Sequence, residues 1–193
     1  METTVDLKKE ALKNGAIWGV ISVVIFLITW YVMPNLMEGY IYPTLTFLIS
    51  IALAIFFTLD MRKKAGGYWS FSEALWKIFV MFLMAMTIVY VFNILFGKYI
   101  DTSYPVKMKE LVMQKSEDMM KSMGGMDDEA LEKIMQKTKD RTDAQFTPSF
   151  SQAVVGFGIS AALYFVGALI FAAIFKKNNP NPFGLEEEPA QTS

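Results

Sequence analysis

The chain has 193 residues, 53% of them hydrophobic, and a formal net charge of −1. It contains no cysteine and no histidine, which excludes a disulfide framework, a thiolate nucleophile and imidazole acid–base or metal chemistry. The near-neutral balance gives no basic footprint for nucleic acid.

The hydrophobic excess is modest for a folded domain, so its distribution decides the class. Residues 1–14 are polar and carry Lys8, Lys9 and Lys13. Residues 15–33 then form a nineteen-residue run without a charge. At ~1.5 Å rise per residue such a run spans roughly 28 Å, about one hydrocarbon core. It is too long for the apolar region of a cleaved signal peptide, and no small-residue cleavage site follows it. Pro34 marks its end.

A connection over 34–40 holds Glu38 and no Lys or Arg. A second uncharged run of nineteen residues follows at 41–59. Trp30, Tyr31, Tyr40 and Tyr42 cluster at the turn between the runs, as interfacial rings do.

Residues 60–69 carry Arg62, Lys63, Lys64 and then Gly66-Gly67, which suits a helix stop and turn. Ser70 and Glu73 have capping-box spacing, so a third helix is expected over 71–96. Glu73 and Lys77 stand i,i+4 and are expected to pair or to reach the interface.

The polar segment 99–146 separates this helix from the last run. Pro105 can open a helix, and Met108, Leu111, Val112, Met119 and Met123 recur at mixed helical spacings, interrupted by Lys115. Gly124-Gly125 breaks the pattern. Met126 is placed to staple onto Leu131 around an N-cap at Asp127. Leu131, Ile134, Met135 and Thr138 form an apolar stripe on the second helix. The segment reads as an amphipathic helical hairpin outside the bilayer. Ser149 and Gln152 then repeat the capping spacing. Residues 150–175 carry no charge, and Lys176 and Lys177 stop the run. Residues 178–193, with three prolines and Glu186 to Glu188, read as a disordered tail.

The expected fold is therefore all-α: an integral membrane four-helix bundle with an extramembrane hairpin between helices 3 and 4. Four spans place both termini and the 60–69 loop on one side. That side gathers Lys8, Lys9, Lys13, Arg62, Lys63, Lys64, Lys176 and Lys177, so both termini are expected in the cytoplasm. The hairpin has nine basic residues between Lys98 and Arg141, but long loops count little in that rule.

Chemistry-bearing patterns are sparse. Met120, Met123 and Met126 have a spacing that suits a soft ion such as Cu(I), but without His or Cys partners a Met-rich packing face is the simpler reading. Asp127, Asp128, Glu129 and Glu132 lack the spacing and glycine of a calcium loop, and helix capping accounts for the first three. No Asp, Glu, Lys or Arg lies deep in a span, which argues against a coupled transporter. Thr29, Ser50, Thr87 and Asn93 are the remaining polar candidates, with interhelical hydrogen bonding as their default role. Gly15/Gly19, Gly156/Ser160 and Gly158/Ala162 are small-residue pairs that allow helix backbones to approach. No P-loop, nucleophile elbow or dinucleotide fingerprint is present. No catalytic, cofactor-binding or metal-binding residue is assigned.

The stretches RKKAGGYWSFSEALW and FNILFGKYID, the Met/Glu/Lys-rich helical segment and the closing AAIFKK resemble the domain of unknown function 4199 family. The resemblance covers nearly the whole chain and implies a bacterial inner-membrane protein, without an activity to carry over. The residues themselves point to a non-enzymatic membrane protein whose partners are the lipid bilayer and, through the 99–146 hairpin, a second copy or another membrane protein. A small transporter or channel component is the alternative.

Overall fold

The computed structural model describes residues 6–123 and 127–179. Residues 1–5, the Gly124-Gly125 turn with Met126, and the tail from residue 180 onward lie outside that description. The Met126–Leu131 staple therefore lies outside it as well.

Seven α-helices make up the described chain: α1 Leu7–Val32, α2 Asn35–Glu38, α3 Ile41–Lys64, α4 Phe71–Leu95, α5 Ser103–Met123, α6 Asp128–Phe146 and α7 Phe150–Phe175. Helices α1, α3, α4 and α7 are long and apolar enough to cross a membrane, with the third span running on through residue 100. This is the pattern of a multi-pass membrane protein. Helices α5 and α6 lie between the third and fourth spans in the chain.

Local chemistry sets the helix ends. Both expected capping boxes form: Ser70 with Glu73 opens α4, and Ser149 with Gln152 opens α7. In each box the hydroxyl accepts from the third helical N–H while the longer side chain accepts from the cap N–H. Asp6 caps α1 by accepting from the Lys8 and Lys9 amides, so α1 starts two turns ahead of its uncharged run. Gly66 and Gly67 both adopt positive φ, at 87° and 86°, and turn the chain from α3 into α4.

Helix α4 is the axis of the bundle. It packs against α1 on one side and α7 on the other. Gly15 and Gly19 make the first contact possible: a Cβ at Gly15 would overlap the Met81 carbonyl oxygen, and one at Gly19 would sit 2.8 Å from Ile88 Cβ. Trp18, one residue before Gly19, meets Phe82 edge-on at 5.4 Å. On the other side α7 buries Ala168 and Ala172 completely. That Ala-x-x-x-Ala pair is the close-packing motif of α7, in place of the pairs favoured by sequence. Among the described residues, a Cβ built on Gly158 has nothing within 4 Å, and one on Gly156 meets only the Tyr90 hydroxyl, at 3.1 Å.

Helix α3 joins the bundle by its second half. Its buried residues are Ala54, Phe57, Thr58 and Met61, while Ile41, Phe47 and Leu48 are more than half exposed. A polar knot fixes that end. Asn14 Nδ2 donates to Asp60 Oδ2 at 3.2 Å, and Lys64 Nζ donates to Asp60 and Glu10 at 2.7 Å each.

The expected Glu73–Lys77 ion pair is not present among the described residues; Glu73 Oε2 accepts instead from the Ser70 amide and hydroxyl. Thr29 and Thr87 also depart from expectation. Each hydroxyl donates back to its own helix, to the Ile25 and Leu83 carbonyls, so neither joins two helices. A back-bond of this kind is the cheapest way to satisfy a hydroxyl inside an apolar span.

Candidate functional site

The hairpin is fixed to one end of the bundle, and its root is aromatic. Phe96 is fully buried, with Phe26, Tyr104 and Phe92 rings around it at 5.2, 5.4 and 5.4 Å. Trp30 stands edge-on to Tyr104 at 5.2 Å. Helix α4 leaves the bundle through a π-helical turn, Phe96–Ile100, closed by the Asp101 amide donating to the Phe96 carbonyl at 2.8 Å. Gly97 lets α5 come close over this turn: a Cβ there would be 3.3 Å from both Tyr104 and Pro105.

Asp101 carries the polar half of the root. Its Oδ2 accepts from Trp30 Nε1 at 2.8 Å, and its Oδ1 accepts from the Ser103 amide at 3.0 Å and hydroxyl at 2.6 Å. The Ser103 bonds, then the Trp30 bond, hold the carboxyl below its usual range. Burial, with a smaller contribution from Tyr42, pushes the Tyr104 phenol up to about 12.

From this root α5 runs past the α1–α3 turn. Lys115, which interrupts the apolar stripe in sequence, reaches that turn. Its ammonium donates to the Gly39 carbonyl at 3.2 Å and the Met37 carbonyl at 3.4 Å, and lies over the Tyr40 ring. Lys107 lies likewise over Trp30. Helix α6 packs along α5, with Lys109 Nζ bound to Asp143 Oδ1 at 2.6 Å. Leu131, Met135 and Thr138 are partly covered and Thr142 is buried, a seam with steps of four, three and four residues. Ile134 departs from the expected stripe, being 39% exposed at its edge.

The face of α5 that meets the bundle holds Met108, partly covered against the aromatic cluster. At 100° per residue Met119 lies on that same face, yet it is 56% exposed. The docked face thus continues into the tip half of the hairpin without its cover. Met120, one position round, is buried.

Of the remaining sequence candidates, Met120 is turned inward, and Met126 lies outside the described residues. Asp127 occupies the N-cap of α6 in extended backbone but makes no side-chain capping bond. Glu129 pairs with Lys133 at 2.6 Å. Among the described residues no group of three or more carboxylates is placed to hold a metal ion. Asn93 Oδ1 is buried and has no hydrogen-bond partner among the described residues. Its side chain lines two spaces: one of about 200 Å³ inside the bundle, with Ser22, Thr46 and Ser50, and one of about 640 Å³ at the foot of the hairpin.

The protein family of unknown function DUF4199 matches residues 13–177. The chain belongs to the DUF4199 family. No curated protein and no solved structure matches it significantly.

The stretches of this chain that carry the family resemblance meet in space. Trp69, from the first, is buried against the end of α7. Its backbone pairs with Lys177 in both directions, and its indole donates to the Phe175 carbonyl at 2.9 Å. Arg62 donates to the same carbonyl at 3.4 Å. These donors satisfy the Phe175 carbonyl, which ends α7 and has no partner within the helix. Phe96, Gly97 and Asp101, from the second stretch, build the hairpin root. Spacing gave no sign of either junction, because the partners lie far apart in the chain.

Proposed function

We propose that this DUF4199 protein is a non-enzymatic protein of the bacterial inner membrane whose hairpin, on the extracytoplasmic side, joins it to a second copy or to another membrane protein. The observation that carries this reading is the uncovered continuation of the α5 face. Met119 is 56% exposed and Ile134 39% exposed in the tip half, while the root is held by Trp30, Phe96 and Asp101. A held root with an open apolar tip suits docking, since little ordering remains to be done on binding. Methionine adapts to the contours of a partner. The basic residues at the far end of the bundle support a cytoplasmic placement of both termini.

A photo-crosslinking residue at Met119 in native membranes tests the reading. An adduct at twice the chain mass identifies a second copy, and another discrete mass identifies a different partner. Absence of any adduct at Met119 contradicts the proposal.

The transporter or channel reading draws support from Asn93. A buried amide oxygen without a donor is costly, and a polar solute or water in the adjoining spaces would satisfy it. Tracer flux in proteoliposomes that Asn93→Leu abolishes would favour this second reading.

A further inference from the structure

The space at the foot of the hairpin has a composition that selects its occupant. It is about 640 Å³ and lies between the end of α4, the end of α6 and the start of α7, within the size range of ligand sites. Tyr90, Asn93 and Ser160 give its lining polar groups, and Ile94, Val155 and Ile159 give it apolar ones. Among the described residues that line it, Arg141 is the one charged side chain, and Gln145 and Gln152 line it as well.

The Arg141 side chain has no ion pair or hydrogen bond to any described residue. Its acidic neighbours are already engaged. Asp143 is bound by Lys109 at 2.6 Å, and Asp140 accepts from the Gln136 amide at 2.9 Å. The guanidinium is therefore left with its donors open beside an apolar space. A phosphate or carboxylate matches that fork geometry.

The apolar wall does not stop at the cavity. Val155 and Ile159 are each 60% exposed, and the same helix goes on to expose Leu163 and Val166 by more than half. In a span, that face of α7 is turned to lipid. A ligand with an anionic head and a long apolar tail would satisfy both parts at once.

We propose that this cavity holds one anionic phospholipid, its phosphate on Arg141 and an acyl chain along Val155 and Ile159 of α7. The site is separate from the hairpin tip and does not depend on which side of the membrane the hairpin occupies.

Lipid retention by the purified full chain, measured by native mass spectrometry, tests this. Phosphatidylglycerol and diacylglycerol with the same acyl chains are offered, the second lacking the phosphate, with glycerol 3-phosphate as a free headgroup competitor. The expected result is a preference for phosphatidylglycerol of about tenfold, the scale of one charge-assisted contact. Arg141→Gln removes the preference, Lys139→Gln keeps it, and glycerol 3-phosphate does not compete. Ile159→Trp, which fills the groove, lowers retention of both lipids. Equal retention of the two lipids by the unaltered chain overturns the proposal. So does a preference that survives Arg141→Gln in a variant with unchanged helicity. Loss of preference in Lys139→Gln would assign the effect to a general basic surface. Displacement by glycerol 3-phosphate would replace the lipid with a free phosphate.

Discussion

Trp30 Nε1 donates to Asp101 Oδ2 at 2.8 Å across seventy-one residues of sequence. This bond ties the first span to the point where the chain leaves the third. Beside it lies the aromatic cluster, with Phe96 fully buried, and the hairpin inherits its direction from that root. The hairpin is thereby a fixed extension of the bundle.

Removing the Trp30 donor loosens the root. Trp30→Phe keeps the ring but leaves the Asp101 carboxylate short of one donor, at a cost of about 1–3 kcal/mol. Hydrogen exchange across the first turns of α5 rises, while exchange at the start of α4 stays as it was.

The same carboxylate gives a pH dependence. Its folded pKa lies below the unfolded value, so its contribution is present above the unfolded pKa of about 4 and is lost as pH falls through the folded one. Acidification below about pH 4 therefore weakens the α5 root. In Asp101→Asn this component of the acid response disappears, as measured by exchange at residues 103–108 against pH.

The glycines of α1 and α7 differ in what they tolerate. Gly15→Leu drives a side chain into the α4 backbone and lowers stability in detergent by about 1–3 kcal/mol or more. Gly158→Leu meets open space and leaves the melting temperature within error. Equal losses in both variants would remove the assignment of α1 as the close-packed neighbour of α4.

Trp69 holds the end of α7. Trp69→Ala leaves the Phe175 carbonyl without its indole donor and opens a buried space, costing about 3–5 kcal/mol. Exchange rises at the last turn of α7. Trp76→Ala, at a site 57% exposed, has a smaller effect.

Much of the fold was written in local pattern. The four uncharged runs, the Ser70/Glu73 and Ser149/Gln152 boxes and the Gly66-Gly67 turn depend on residues within a few positions of one another. The Gly15/Gly19 seam was also legible, since spacing alone puts both on one face. Spacing could not say which of several small-residue pairs is packed, and α7 uses Ala168 and Ala172. The two junctions that position the hairpin and close α7 were hidden for a different reason. Trp30–Asp101 and Trp69–Lys177 join residues that only the bundle brings together. Lys115 read as a break in a stripe because its true partners are carbonyls of a distant turn. Ile134 was placed on the seam by hydrophobicity, whereas the four-residue steps from Leu131 and Thr138 select Met135 and Thr142.

Orientation is measurable directly, because the chain has no native cysteine. Lys121→Cys on α5 reacts with an impermeant maleimide in intact spheroplasts. Lys63→Cys, at the far end of the bundle, reacts only after lysis. The reverse pattern contradicts an extracytoplasmic hairpin.

The most direct measurement of the central claim is association of the double variant Met119→Asp with Ile134→Asp, carrying a photo-crosslinker at Lys121. Both substituted side chains are exposed, so hydrogen exchange over α5 and α6 should match that of the unaltered chain. Crosslinking to the second copy or partner should fall to background in the same membranes. Crosslinking that persists at its original yield, with exchange unchanged, would contradict the claim that the hairpin tip is the association surface.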